Sequence, residues 1–580
     1  MEFTGLIQFE GRWLRLYHPA RVITAVSEAE LLAKLEEIET AVEREKLTAV
    51  GYITYEASAA FGFATHPQND LPLLSFALYP ESQIEDLGDE FPLQTTPDSP
   101  ESEQWQPNLS PAQYQTAIQT IKENIAQGNT YQVNYTFHLR RSFREDPFLY
   151  FQKLVQAQQA AYMAFLDMDD YTICSASPEL FFTLNGDTLT SKPMKGTAVR
   201  GLTYAEDQAN IEWLAQSDKN RAENVMIVDM IRNDMGQIAE TGSVQVPHLF
   251  AIERYPTLLQ MTSTVTAKTK RPLSAIIAAM FPCASITGAP KKRTMQLIQE
   301  LEKEPRGLYT GSIGVIAPNR RAQFNVAIRT VVIDKTRQEA DFGVGSGIVW
   351  DSDTEDEFQE CQIKASVLTT KRPSFELLES LLWEPETGYF LLNEHLARLQ
   401  RSAAYFAIDI AETAVKKELA ILADTLKEAC KVRLLISKQG KIFIQAQPLT
   451  HGVLPEPVRI GIAQDAVSSN SVWLYHKTTL RKIYDDARRS RPECDEVILW
   501  NEQQEITEAG SSNIVLSLNG NLVTPPISSG LLAGTFREHL LQNARIQEQV
   551  LTLDDLTLAD DIFLINSVRR WRKAILINSS

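Results

Sequence analysis

The six residues Thr369-Thr-Lys-Arg-Pro-Ser374 constrain this chain more than any other stretch. They break the strand and helix patterning, and a fresh series of strands and helices begins after them. A chain of 580 residues is too long for one hydrophobic core, so it has to divide. The break predicts a first region of 1–371 and a second of 372–580. A polar, acidic, proline-rich stretch at 95–108, TTPDSPESEQWQPN, reads as a surface linker closing an N-terminal portion, 1–108, of the first region. Alternating helix and strand signals place both regions in the α/β (α+β) class.

Local signals support that reading. Leu6–Phe9, Trp13–Leu16 and Val50–Tyr55 are strand-like, and Ser27–Lys46 is a helix with Ser27 as its cap before Glu30. A second helix opens at Ser110, with Pro111 in the first position and Gly128 near the end, and a strand Tyr131–Leu139 follows. The formal net charge of −18 argues against nucleic acid or an anionic membrane as partner, although a local Lys/Arg cluster can still hold a small anion. Five scattered cysteines without C-x-x-C spacing predict reduced thiols and neither zinc site nor disulfide framework. There is no signal-peptide pattern at the N-terminus and no apolar run of about 18 residues, so the expected location is the cytoplasm.

Several groups of residues in the first region carry chemistry. Lys195 lies between Pro193-Met194 and Gly196-Thr197, a stiff residue on one side and a permissive one on the other. Taken by itself such a lysine is usually a solvated loop residue; buried or beside other cations, it becomes a nucleophile. Glu179 precedes the apolar strand Leu180–Leu184, and Glu223 lies in a helix whose Val225, Ile227, Val228 and Ile231 form an apolar face. Glu357 and Glu360 share one face of another helix. Carboxylates from separate helices, with oxygen donors only, suit Mg²⁺, though each is equally at home in solvent. Gly343-Val-Gly345-Ser-Gly347 could offer bare N–H groups to a carboxylate, and Arg329 could clamp one. No Walker-type phosphate loop is present.

In order, the segments YQVN, SPELFF, KPMKGTAVR, DKNRAENVMIVDMIRNDMG, FPCASITGAPKKR, YTGSIG, AIRT and GSGIVWDSDTEDEFQECQIKA resemble the chorismate-utilising enzymes from about Gly128 to Lys364. The resemblance implies a large layered structure of antiparallel sheets with helices outside. It implies that Glu179 is the general acid that helps expel the C4 hydroxyl of chorismate. It makes Glu223 and Glu360 Mg²⁺ ligands, with Glu357 reaching the ion through water. Tyr309, Arg329, Lys364 and the backbone at Gly345 and Gly347 would grip the substrate carboxylates. Lysine at 195 is similar to the branch that forms aminodeoxychorismate, where it attacks C2 before ammonia adds at C4; relatives that make anthranilate or isochorismate typically carry alanine there. Where many relatives have histidine, this chain has Gln260, which cannot exchange a proton at neutral pH. No glutaminase motif is fused to the chain, so a separate glutamine amidotransferase subunit is implied as the source of ammonia.

In the second region, Lys477 ends a mixed apolar run, Glu508 follows a strand–turn–strand pattern, and Gly/Ser/Thr turns lie nearby. A lysine, a carboxylate and turns able to hold phosphate are what pyridoxal phosphate needs, although both residues could also be exposed surface charges. From Phe375 to Trp571 the chain resembles the fold-type IV pyridoxal enzymes. That resemblance makes Lys477 the imine lysine and Glu508 the partner of the pyridine nitrogen, with Arg398 and Thr535 holding the phosphate. It leaves Tyr484 without a clear counterpart. Together the two resemblances imply 4-aminobenzoate synthesis for folate: Mg²⁺-dependent amination of chorismate, then elimination of pyruvate. The alternatives for the second region are an amino-acid transaminase or a non-catalytic docking module.

Overall fold

The computed structural model describes residues 3–91, 104–369, 373–450 and 455–577. Most of the expected 95–108 linker and part of the 369–374 break lie outside these residues; the short strand Gln106–Pro107 falls within the former. The chain forms two compact units, Met1–Val199 with Ile211–Arg372, and Arg200–Asn210 with Pro373–Ser580. The segment Arg200–Asn210, which the linear division puts in the first region, thus packs with the second. There Arg200 donates to Asp207 (2.6 Å) and to the Tyr405 carbonyl (2.7 Å), and the Tyr405 hydroxyl donates to the Gly201 carbonyl (2.7 Å).

Two ten-stranded antiparallel sheets build the first unit. One carries Gln132–Ser142 paired with Glu339–Ile348 towards one end, and the other centres on Ser312–Ala317, Arg321–Asn325 and Leu180–Asn185. Ile7, Leu16 and Ile173 from the first sheet meet Val50, Tyr52, Ile313 and Val315 from the second in a shared core. Helices cover the outer faces: Pro111–Ala126 and Pro147–Gln158 on the first sheet, Glu28–Glu45 and Asp218–Gly236 on the second. This is the layered antiparallel arrangement expected of the first region.

Local signals explain these boundaries. Ser110 and Gln113 form a reciprocal capping box at 3.3 and 2.9 Å, with Pro111 first in the helix. Ser27 does occupy the cap position of Glu28–Glu45, but its hydroxyl caps nothing. Glu30 instead reaches back to the Val26 N–H at 3.2 Å. All five cysteines are buried, free thiols, and no helix among the described residues is long and apolar enough to cross a membrane.

The two sheets are stitched by one buried cation. Arg306 donates to Glu302 (2.8 and 2.9 Å), to the Asn134 and Ile286 carbonyls (2.7 and 2.9 Å) and to Thr310 Oγ1 (3.3 Å), and lies over the Tyr55 ring. Glu302 also accepts from the N–H and hydroxyl of Thr136 at 3.0 and 2.8 Å.

The second unit has its own cores. A four-stranded antiparallel sheet, centred on Leu377–Glu384 and Cys430–Ile436, is covered by helices Leu392–Tyr405 and Glu412–Ala423. An eight-stranded mixed sheet packs Val458, Ile460, Ile498, Ile514 and Leu564 together. Its strand Val458–Ile462 runs parallel to both neighbours, Glu496–Trp500 and Arg570–Leu576.

Removing Arg306 leaves a buried carboxylate with no counter-charge, a loss of about 3–5 kcal/mol. Arg306→Ala is therefore expected to lower the urea midpoint of the first unit's unfolding transition. Pairing it with Glu302→Gln should restore much of the loss.

Candidate active sites

Within the first unit a cavity of about 620 Å³ is lined by Glu179, Lys195, Glu223, Tyr309, Arg329, Gly345, Gly347, Glu357, Glu360 and Lys364. All ten first-region residues singled out in the sequence therefore meet in one place. Lys195 sits on the strand Met194–Val199, whose pairing with Leu258–Lys268 slips between Met194 and Thr197. Gly196 takes φ +97° in that slip, a conformation that glycine adopts freely. Asn224 Nδ2 donates to the Lys195 carbonyl (3.2 Å) and is held in turn by Ser263 (2.5 Å). Gln260 Nε2 donates to the Gly196 carbonyl (2.9 Å) and its oxygen accepts from Thr197 (3.2 Å), so Gln260 braces the lysine's turn. The Lys195 amine stands 3.9 Å from Glu223.

Glu179 is 4% exposed, and burial pushes its carboxyl up to about 7, against the pull of its hydrogen bond from Ser285 (2.6 Å) and of nearby Lys195. A carboxyl in that state holds a proton it can give up near neutral pH. Arg329 is pushed down to about 10 by burial and donates to Gln158 Oε1. Lys364 donates to the Gly345 carbonyl (2.9 Å) and pairs with Glu360 (2.5 Å). Burial pushes the Lys364 ammonium down, but the charge and hydrogen bond of Glu360, together with Cys361, leave it above its usual value. Burial and the neighbouring Glu360 hold Glu357 above its usual range, while Ser352 donates to it at 2.6 Å.

The glycine run belongs to a strand. Gly343, Gly345 and Gly347 lie in Glu339–Ile348, opposite His138, Thr136 and Asn134. Because the Gly345 carbonyl turns outward to Lys364, its N–H points to that same open edge, so a bare donor row arises from strand geometry. Gly343 has a further reason to lack a side chain: a Cβ there would fall 2.1 Å from the Tyr309 ring. Glu223, Glu357 and Glu360 border the cavity with oxygen donors, yet among the described residues no three acidic, histidine or cysteine side chains converge closely enough to hold a metal ion. Two of these carboxylates face lysines instead; burial first, and then the neighbouring Glu360, raise Glu357, so added positive charge is favourable there.

In the second unit, Lys477 is anchored through its backbone carbonyl, which accepts from Leu378 N–H (2.9 Å). Burial, then the charge of Arg398, push its amine down to about 8. Glu508 is pushed up to about 7 by burial; Tyr484 donates to it (2.7 Å), as do the Leu532 N–H and Asn513 (both 3.3 Å). Three neutral donors, with no ion-paired cation among the described residues, leave room for a protonated ring nitrogen. Arg398 gives Nε and Nη2 to Glu379 at 2.9 and 2.7 Å and Nη1 to the Ala533 carbonyl at 3.1 Å. His395 Nδ1 faces the same carboxylate at 2.7 Å. Burial keeps His395 neutral, so Nδ1 carries the proton and Nε2 accepts from Thr535 Oγ1 (3.2 Å). These residues suit an aldehyde cofactor with a ring nitrogen and a phosphate.

Both units match known families. Residues 8–370 match the model of the chorismate binding enzyme family, and 376–577 that of amino-transferase class IV. The chain belongs to the chorismate-binding enzyme family. It is 42% identical over 255 residues to aminodeoxychorismate synthase of Streptomyces pristinaespiralis (43% of this chain, 35% of that protein). It is 40% identical over 254 residues to aminodeoxychorismate synthase component 1 of Bacillus subtilis strain 168 (43% and 54%). The matched length is thus about a third to just over half of these relatives. Anthranilate synthase component I from Streptococcus pneumoniae shares the fold, with a TM-score of 0.53 and 24% identity, over 64% of this chain and 92% of that one.

Within the chorismate-binding enzyme site, Ser285, Asn224 and Ser263 were not singled out in the sequence. They are small polar residues whose partners lie tens of positions away. In the second unit the same holds for Glu379 and His395. Tyr484, unplaced by sequence, is the donor to Glu508.

Pyridoxal phosphate serves as a direct probe of the Lys477 amine, because only the neutral amine adds to an aldehyde. Trapping with borohydride and peptide mapping is expected to locate the adduct at Lys477. Its formation rate should rise about tenfold per pH unit until pH 8 and then level, whereas an ordinary lysine climbs to beyond about 10.

Proposed function

We propose that this protein makes 4-aminobenzoate from chorismate in two steps, amination in the first unit and pyruvate elimination in the second. The observation that carries the proposal is the amine of Lys195 in one cavity with the half-protonated Glu179 and the cations Arg329 and Lys364. Arg329 and Lys364 hold the substrate carboxylates, helped by the Tyr309 hydroxyl and the N–H edge at Gly345 and Gly347. Lys195 Nζ forms a bond to C2 of chorismate as the C4–O bond breaks, and Glu179 gives its proton to the leaving hydroxyl. Ammonia then bonds to C4, the C2–N bond breaks, and the lysine is restored. Glu223 and Glu360 would hold Mg²⁺, with Glu357 reaching it through water, and the ion would supply charge neutralisation for the substrate carboxylates.

The second reaction removes pyruvate from aminodeoxychorismate. Pyridoxal phosphate, when bound, supplies the electron sink. Lys477, with its amine near 8, holds and moves protons; Glu508 and Tyr484 orient the ring nitrogen; Arg398 and Thr535 receive the phosphate. Ammonia comes from a separate glutamine amidotransferase subunit, and the work is done in the cytoplasm.

The test is a product assay with purified protein, chorismate, ammonium and Mg²⁺, with and without pyridoxal phosphate. The expected products with cofactor are 4-aminobenzoate and equimolar pyruvate. Aminodeoxychorismate accumulating even with cofactor would sink the second step, and anthranilate would sink the role of Lys195.

The acid role of Glu179 gives a second test. It acts only when protonated, so its contribution to kcat/KM falls as pH rises through about 7. Glu179→Gln should lower kcat/KM of amination by about 10²–10⁴ and abolish that alkaline bend.

A further inference from the structure

The residue before Lys477 is a buried histidine. His476 is 4% exposed, and its ring lies 4.3 Å from that of Tyr405 and 4.9 Å from that of Phe406. Both ring nitrogens are engaged: Nε2 lies 3.2 Å from the Leu202 carbonyl, and Nδ1 lies 3.0 Å from Ser402 Oγ. A carbonyl only accepts, so Nε2 carries the proton and Nδ1 accepts from the Ser402 hydroxyl. Burial, against the pull of the Leu202 carbonyl and with help from the Arg200 charge, holds this imidazole down to about 4, so the ring is neutral.

Leu202 belongs to Arg200–Asn210, the segment that packs with the second unit, and it lies outside residues 376–577 that match amino-transferase class IV. The segment is itself firmly built. Asp207 is fully buried and accepts from Arg200 Nε and Nη2 (2.6 and 3.1 Å) and from the Gly201 N–H (3.2 Å). The Arg200 guanidinium lies 4.2 Å over the Tyr405 ring, and Glu206 accepts from the Leu202 N–H at 2.8 Å. From Lys477 onward the backbone is pinned again. The Leu378 N–H donates to the Lys477 carbonyl (2.9 Å), and the Thr479 N–H donates to the Glu376 carbonyl (3.0 Å). Lys477 thus sits between two anchors, one through the side chain before it and one through its own backbone. An aliphatic side chain at 476 would pack there without desolvating a polar ring; the two hydrogen bonds add direction that packing alone does not.

We propose that His476 is a positioning residue for Lys477, and that Arg200–Asn210 completes the second site by holding it. The proposal rests on the reading of Lys477 as the cofactor lysine and adds what aims its amine. That amine stands at the end of a flexible four-carbon stem, so its place depends on where the backbone holds the stem's root. A misplacement of about 1 Å is enough to cost about 10²-fold in rate.

The test adds pyridoxal phosphate to the full-length protein and follows the rate of imine formation by absorbance, with borohydride trapping and peptide mapping to locate the adduct. His476→Leu is expected to slow imine formation by about 10–10²-fold. Its pH profile should still level near 8, because a neutral ring takes no charge away with it. His476→Gln, which keeps a donor for the Leu202 carbonyl, should recover most of the rate. Tyr405→Phe keeps the ring against His476 but loses the hydroxyl that bonds to the Gly201 carbonyl, and should slow the reaction by less. A purely structural role would lower the urea midpoint and leave the imine rate of the folded protein as it was. Unchanged rates in His476→Leu or Tyr405→Phe, or a His476→Gln protein as slow as His476→Leu, would overturn the proposal while leaving Lys477 as the cofactor lysine. Failure of the unaltered protein to form the imine at Lys477 would overturn both.

Discussion

A buried guanidinium holds the first unit in register. Arg306 cannot be solvated where it lies, so its charge has to be met by Glu302 and its remaining donors by carbonyls. Those carbonyls belong to Asn134, near the start of the long strand Gln132–Ser142 of one sheet, and Ile286, in the turn that also carries Ser285. The same side chain reaches Thr310, just before a strand of the other sheet. Satisfying one cation therefore sets how the sheets meet and where the Ser285 turn stands relative to Glu179.

Burial then assigns the protonation states on which chemistry depends. Glu179 and Glu508 are both pushed up to about 7, but their surroundings divide their roles. Glu179 faces an open cavity with lysines beyond it, the position of an acid that gives its proton away. Glu508 is ringed by neutral donors, the position of a carboxylate waiting for a positive partner. Glu379 shows the opposite case. It is as deeply buried, yet it is held down to about 2, because Arg398 and His395 share it. Desolvation is similar in all three, so the neighbours decide the outcome.

Much of this was legible in the chain. The helix at Pro111–Ala126 follows from a capping box and a proline, both local signals. The collinear motifs of the first region bring their ten residues into one cavity, and Lys477, Glu508, Arg398 and Thr535 fall close together in the second. Legibility stopped where a role depends on a distant partner. Ser285 reads as one serine in a small-residue turn until Glu179 is beside it. The Gly343–Gly347 run shows donors for a carboxylate but not what holds them; pairing with Gln132–Ser142 makes it a strand.

The sequence by itself determined the kinds of chemistry present: a lysine framed by proline and glycine, paired carboxylates on one helix face, and a second lysine and glutamate beyond a proline-containing break. These depend on residue type and short-range spacing, which a linear chain displays. Tertiary structure alone decided which carboxyl is protonated, which lysine amine is held near 8, and that Arg200–Asn210 packs with the second unit. Those outcomes depend on burial and on partners from remote parts of the chain, and neither exists until the chain has folded.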